Sequence, residues 1–425
     1  MTERIIALLK EDPAVADYRI NVTATESHEL FFVHRKLETV RSTDTTDLKV
    51  TVFVAKEGKL GDATFLVYSS YSDEDIRREI GAACKKASLA VNEPYALPCD
   101  EVFCGEADSN FKKYSTAELA ASIAEAVFAA DSYEDGSINA LEVFLYRDTV
   151  TVKNSRGVDK TEVRYRAMVE AIPTWNGADE SVELYECYNF TEFDAATVTA
   201  EIDTRMREVR DRCVAIVPES KPKCPVVLSA PELSELFASL TYELTFAGAY
   251  NHTGAFSVGD EVQKNVTGDT LTVTRCGAVK GSVRSAAFDG EGTTLCDAEV
   301  IRDGKAVGYF GSARYASYLG EKPTGDLGCI RVNVGGLTDV ELKRAPYFRC
   351  ASMSSLQLDI YNDYIGGEVR LAYYFDGEKE IPVTGISISG KLSTALSGMR
   401  LSADSTVYEG YCGPKLALLE GIEIV

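Results

Sequence analysis

Histidine, cysteine and closely spaced carboxylates are the residues most able to do hydrolytic or metal chemistry, and each is sparse or scattered here. Histidine occurs three times, at His28, His34 and His252. A catalytic zinc takes three protein ligands from His, Cys, Asp or Glu and leaves one position open for water. His28 and His34 fall in a strand pattern, on one face but about 20 Å apart at ordinary strand rise. They do not share a metal and read as half-buried structural histidines. His252 stands alone in the loop Tyr250-Asn251-His252-Thr253-Gly254. The 11 cysteines are odd in number, widely spread and without a CxxC. The closest pair, Cys99 and Cys104, fits neither a zinc knuckle nor a redox motif. Most read as small core residues, Cys84 on the apolar face of a helix among them. Cysteines used this way imply a reduced, cytoplasmic setting. Asp289 and Glu291 are near enough for paired-carboxylate work. The plainer reading is a polar β-turn, with Gly290 and Gly292 supplying permissive backbone angles. No G-x-S-x-G elbow or P-loop occurs; Gly281-Ser282 and Gly335-Gly336 lack the required spacing.

These residues are carried by elements that segregate instead of alternating. Strand signals run through Tyr18–Thr25, Leu30–Val40, Asp47–Val54 and Asp62–Ser69. Ser72 caps a helix whose stripe is Ile76, Ile80, Ala83, Ala87 and Ala90. A second helix spans about Ser115–Ala130. Strands at about Ile138–Arg147, Thr149–Asn154 and Lys160–Ile172 follow, then a third helix at about Ala195–Cys213. After the Pro- and Lys-rich stretch Ala215–Pro225 come a strand, Val226–Leu228, and a helix opened by the capping box Ser229/Glu232. Beyond Gly254 the pattern is strand and turn, with strands such as Glu368–Phe375 and Val383–Ile388. This predicts an α+β chain in two parts. Residues 1–217 form an antiparallel sheet with helices, and 218–425 form a β-rich domain.

The formal charge of -22 opposes the counterion replacement that nucleic-acid binding needs. Basic pairs such as Arg77-Arg78, Lys85-Lys86 and Lys112-Lys113 read as solvated surface. No run of about 18 apolar residues exists to cross a membrane. The amino-terminal residues have no long apolar region and no small-residue cleavage site, so they do not read as a signal peptide.

Several ordered segments resemble the TldD/PmbA family, also known as modulators of DNA gyrase. In the first half they are Lys59-Leu60-Gly61-Asp62-Ala63 and Asn154-Ser155-Arg156-Gly157 with Arg164-Tyr165. In the second they are Ser285–Gly292, which is similar to that family's fDdEG signature, Ile301–Lys305, Tyr315-Ala316 with Pro323-Thr324-Gly325, Gly366–Arg370 and Gly385–Gly390. The resemblance implies two α+β subdomains, the second strongly β. It also implies a complex in which a TldD-type subunit holds zinc through an H-E-x-x-x-H helix and a later cysteine. The PmbA/TldE-type subunit lacks that motif, and the pair acts on short or unfolded peptides held as extended strands.

On the matching segment, Leu240-Thr241-Tyr242-Glu243-Leu244-Thr245-Phe246-Ala247, the glutamate is present as Glu243. Tyr242 and Ala247 stand where the family has its histidines. Cys412 has a different flanking pattern and reads as a turn cysteine. The resemblance therefore implies a non-catalytic subunit, with zinc expected only in a TldD-like partner. Groove candidates are Tyr242, Glu243, Ala247, His252, Asp289 and Glu291. Two alternatives stand beside it: a homodimeric peptide-binding or scaffold protein without proteolytic role, and a diverged hydrolase using Glu243 and His252.

Overall fold

In the first half the longest apolar alternations become a single hairpin. Asp17–Val33 (β1) and Lys36–Lys56 (β2) pair antiparallel along their lengths. The computed structural model of the chain describes all residues except 91, 179, 344 and 345. The strand expected over Leu30–Val40 folds back on itself at His34 and Arg35, whose φ angles are +46° and +64°. Two successive left-handed residues give the turn a twist that suits a hairpin, though Asn-Gly is the usual choice. His34 is thus an exposed turn residue, not a half-buried member of the strand that carries His28. His28 is partly buried, its Nδ1 2.8 Å from Ser42 Oγ.

The remaining N-terminal strands are Lys59–Leu66 (β3), Val102–Glu106 (β4), Gly136–Asn154 (β5), Asp159–Asn176 (β6), Ser181–Glu183 (β7) and Glu186–Phe190 (β8). The order is β3-β2-β1-β5-β6-β4, with β7 and β8 also on β6. All these pairings are antiparallel except β4 on β6. The two strands expected over 138–154 are one, because Asp148 and Arg164 pair directly and carry the ladder through without a turn. Helices Thr2–Glu11 (α1) and Asp73–Ala87 (α2) cover one end, packing Ile5, Leu8, Ile76 and Ile80 on Val50 and Val52. Ser72 and Asp75 form the capping box that starts α2. Helices Thr116–Ala129 (α3) and Ala195–Cys213 (α4) cover the other, packing Ile123, Val127, Ile202 and Met206 on Val143 and Val169.

Among the described residues the second half holds two sheets. One is ordered by residues 305–306, 298–302, 273–276, 329–332, 411–414 and 405–408; the other contains Val226–Ser229, Tyr347–Met353 and Tyr364–Phe375. Helix Ala230–Tyr242 (α5) joins both sheets in the largest core, with Leu233, Leu236, Phe237 and Leu240 fully buried. Each such side chain contributes about 1.5–3 kcal/mol by burial. The chain is α+β, as expected, with a β-rich second half. Three local expectations fail. Helix Phe246–Asn251 (α6) follows α5, and beyond Gly254 short helices such as Ala313–Leu319 (α7) and Leu392–Gly398 interrupt the expected strand-and-turn pattern. The strand expected over Val383–Ile388 breaks at Gly385, φ +66°. Only Cys84, Cys276, Cys329 and Cys350 are buried, so most cysteines are not core residues.

Candidate functional site

The helix expected across Leu240–Ala247 stops at Tyr242. Thr241 turns its hydroxyl back to the Phe237 carbonyl, 2.7 Å away, and Leu244 N–H closes a tight last turn on the Thr241 carbonyl. The chain then leaves the helix because Leu244–Phe246 pairs with Phe310. Phe246 N–H donates to the Phe310 carbonyl at 2.8 Å, and Phe310 N–H donates to the Leu244 carbonyl at 3.2 Å. Thr245 restarts the helix as N-cap of α6, accepting from Gly248 N–H. Tyr242 and Ala247 therefore sit on different helices, and no single helical face presents both.

Tyr242 and Glu243 line a cleft of 480 Å³ between α5 and the segment 358–361, together with Ala238, Ser239, Leu358, Asp359, Ile360 and Tyr361. Tyr242 is 72% exposed and Tyr361 67%. Glu243 Oε2 accepts from Ala255 N–H at 2.8 Å and lies 2.9 Å from the Tyr361 hydroxyl. That hydroxyl is also 2.5 Å from the Thr253 carbonyl. The contact with Glu243 pushes the Tyr361 phenol above its ordinary range. Glu243 thus ties the α6 return loop to the cleft wall. Gly254 lets that loop close, since a Cβ there would lie 2.5 Å from the Glu243 carbonyl oxygen. The short strand Gln357–Asp359 pairs with Tyr364–Gly366 through one edge, and its other side meets the cleft. Leu358, Asp359 and Tyr361 went unread in the sequence. Tyr361 is 118 residues from Glu243, and the only local signal is the turn in which Asn362 N–H donates to Asp359 Oδ1.

Neither Ala247 nor His252 lines the cleft. His252 is the exposed left-handed C-cap of α6, with φ +56° and ψ +38°.

Asp289 and Glu291 lie elsewhere, where the two halves meet. Asp289 Oδ1 accepts from Glu291 and Thr293 N–H, both at 2.9 Å, and Oδ2 accepts from Asp326 N–H at 3.2 Å. Glu291 accepts from Ala313 N–H at 2.9 Å, at the start of α7, and pairs with Arg19 of β1 at 3.7 Å. Burial raises both carboxyl pKa values. Around them Asn21 donates to the Gly290 carbonyl, Arg164 to the Phe288 carbonyl, and Arg314 pairs with Asp62. Of the two glycines only Gly292 has positive φ, +88°, with Val158 Cγ1 2.9 Å from its would-be Cβ. The loop joins the two halves of the fold, and its carboxylates are spent on backbone donors.

Zinc does not fit the Tyr242 site. Among the described residues its side-chain donors are two carboxylates, Glu243 and Asp359, both already hydrogen-bonded, and the phenols of Tyr242 and Tyr361, with Ser239 and no histidine or cysteine. Among the described residues no group of three or more His, Cys, Asp or Glu side chains is placed to hold a metal ion. Cys412 is not in a turn: it lies in the strand Tyr411–Pro414, opposite Arg331, and packs by Cys276 and Cys329.

The profile of the PmbA/TldA metallopeptidase C-terminal domain family matches residues 221–425. A protein named as a metalloprotease from Synechocystis sp. is 26% identical over 152 residues, 32% of this chain. The match spans 33% of that relative's length. TldE from Thermococcus kodakarensis superposes with a TM-score of 0.82 at 14% identity, over 100% of this chain and 99% of that one. A structure named as a modulator of a DNA gyrase from Thermotoga maritima MSB8 superposes at 0.77 with 17% identity, over 100% and 99%. Another so named, from Bacteroides thetaiotaomicron VPI-5482, superposes at 0.78 with 12% identity, over 99% and 97%. The structural matches speak for the fold, and the profile match for the lineage of the second half. Residues 221–425 belong to the PmbA/TldA metallopeptidase C-terminal domain family, the whole chain shares the fold of TldE, and Tyr242, Glu243 and Ala247 do not supply the donors of a zinc site.

Proposed function

We propose that this chain is a non-catalytic, TldE-like subunit that pairs with a zinc-bearing TldD-type subunit and holds short unfolded peptides as extended strands. The observation that carries the reading is the state of Glu243. The one metal-site carboxylate that remains serves as an acceptor for Ala255 N–H and a neighbour of Tyr361. With no histidine or cysteine among the described residues lining its cleft, Glu243 has no metal ligands beside it to present an activated water. The cleft beside Gln357–Asp359 supports peptide binding, because a strand with an open edge can accept another by main-chain hydrogen bonds. Division of the chain near 217/218 into an N-terminal and a C-terminal domain, and a cytoplasmic setting, belong to the same proposal.

The test is peptide cleavage by the purified chain alone and mixed with a TldD-type subunit. Cleavage only in the mixture, with the two chains co-eluting, is the expected result. Cleavage by the chain alone overturns the reading.

A homodimeric scaffold is the second reading, and residues 36–47 of β2 favour it. Among the described residues no strand pairs with their outer edge, and Leu37 and Val40 are 45% and 52% exposed. Long open edges of this kind invite pairing with another chain. Sedimentation of the chain alone separates the readings, a stable dimer favouring this one.

A further inference from the structure

The cleft beside α5 has a chemical character of its own. Among the described residues every charged group lining it is a carboxylate, Glu243 or Asp359, and the two exposed aromatic side chains there are Tyr242 and Tyr361. Asn362 donates to both oxygens of Asp359, at 2.9 and 2.6 Å, and holds its carboxyl below the ordinary range, so it stays ionised. Phenol rings attract cations through their faces, and more so beside carboxylates. Two carboxylates and two exposed phenols make the cleft a place for an organic cation.

We propose that this cleft selects peptides carrying a lysine or arginine side chain, seated between Tyr242 and Tyr361 and paired with Asp359 and Glu243. The inference rests on the reading of the cleft as a peptide groove. The strand edge at Gln357–Asp359 supplies the main-chain contacts, and the tyrosine–carboxylate pocket supplies the side-chain choice. Charge complementarity names the occupant, since among the described lining residues an acidic side chain would face two carboxylates and no cation. The 480 Å³ volume accommodates one long basic side chain with the backbone that carries it.

The test uses the full chain and two short labelled Gly/Ser peptides, one with central lysines and one with glutamates in their place. Affinity is read by fluorescence anisotropy at low and high salt. The lysine peptide binds at least about tenfold tighter at low salt, in keeping with the several kcal/mol that like-charge juxtaposition costs, and the preference shrinks at high salt. Tyr242→Ala weakens the lysine peptide by about two- to fivefold, the range for an exposed cation–π contact. Asp359→Asn weakens it too. Tyr242 is exposed, so an unchanged denaturation midpoint shows that its variant folds. Equal affinity for the two peptides, both weakened by Tyr242→Ala, overturns the cation preference and leaves the groove reading intact. A lysine preference undiminished in both variants places the site elsewhere and overturns the proposal. Binding of neither peptide overturns the proposal together with the groove reading.

Discussion

Replacing Asp289 by alanine tests whether this carboxylate holds the loop at the junction of the halves in shape or waits for a substrate. Its two oxygens accept three backbone N–H groups, from Glu291, Thr293 and Asp326. The residue is 7% exposed, so water does not freely take over those donors. A buried donor left without a partner costs about 1–3 kcal/mol. With partial relaxation, three give a loss of about 3–5 kcal/mol. Asp289→Asn keeps an acceptor for one side of the turn but turns a donor toward the other, and loses about 1–2 kcal/mol on the same reasoning. The assay is urea unfolding followed by far-ultraviolet circular dichroism and by Trp175 fluorescence. Trp175 reports on the N-terminal sheet, where it packs on Tyr133. A structural carboxylate gives a graded series, parent above Asn above Ala. An alanine variant within about 0.5 kcal/mol of the parent, the usual range for a neutral surface change, refutes the reasoning and reopens the paired-carboxylate reading of Asp289 and Glu291.

Other expectations follow from the same geometry. Leu240→Ala empties a fully buried position in the largest core and costs about 2–5 kcal/mol in a denaturation series. Gly61→Ala sets a Cβ 1.8 Å from the Ala87 carbonyl oxygen and costs about 3 kcal/mol or more, read as a lowered melting temperature. Glu186 shares Arg205 with Glu201 and Glu208 and is pushed up to about 7, chiefly by burial. Its folded pKa lies above its unfolded value, so the native state binds the extra proton and stability falls as pH rises from about 4.5 to about 7. Glu186→Gln removes that slope and raises the urea midpoint at pH above 7, by about 1–2 kcal/mol in stability.

The helices that could be read from the sequence were those with chemistry at their ends. Ser72 with Asp75, Ser115 with Glu118 and Ser229 with Glu232 form capping boxes in the structure, and α4 spans the residues its apolar stripe marked. The β1–β2 turn could not be read, because His34 and Arg35 are not residues that announce a left-handed turn and the exposed strands on either side continue the same alternation. The break after Tyr242 was hidden for a different reason. Its cause is the backbone at Phe310, a partner that no local pattern reveals. The cleft wall at Leu358–Tyr361 was hidden in the same way. The family-like motifs were legible, but much of what they marked is the junction between the two halves. Asp62, Arg164 and the Phe288–Glu291 loop meet there, so Asp289 and Glu291 lie at the junction and not beside Tyr242.

The central claim is that the zinc site is gone from this chain and not merely altered. Metal content of the purified protein, measured by inductively coupled plasma mass spectrometry after exposure to zinc and gel filtration, addresses it most directly. The account predicts far less than one zinc per chain, and no change on Glu243→Gln. One zinc per chain, lost in the Glu243→Gln variant, contradicts it.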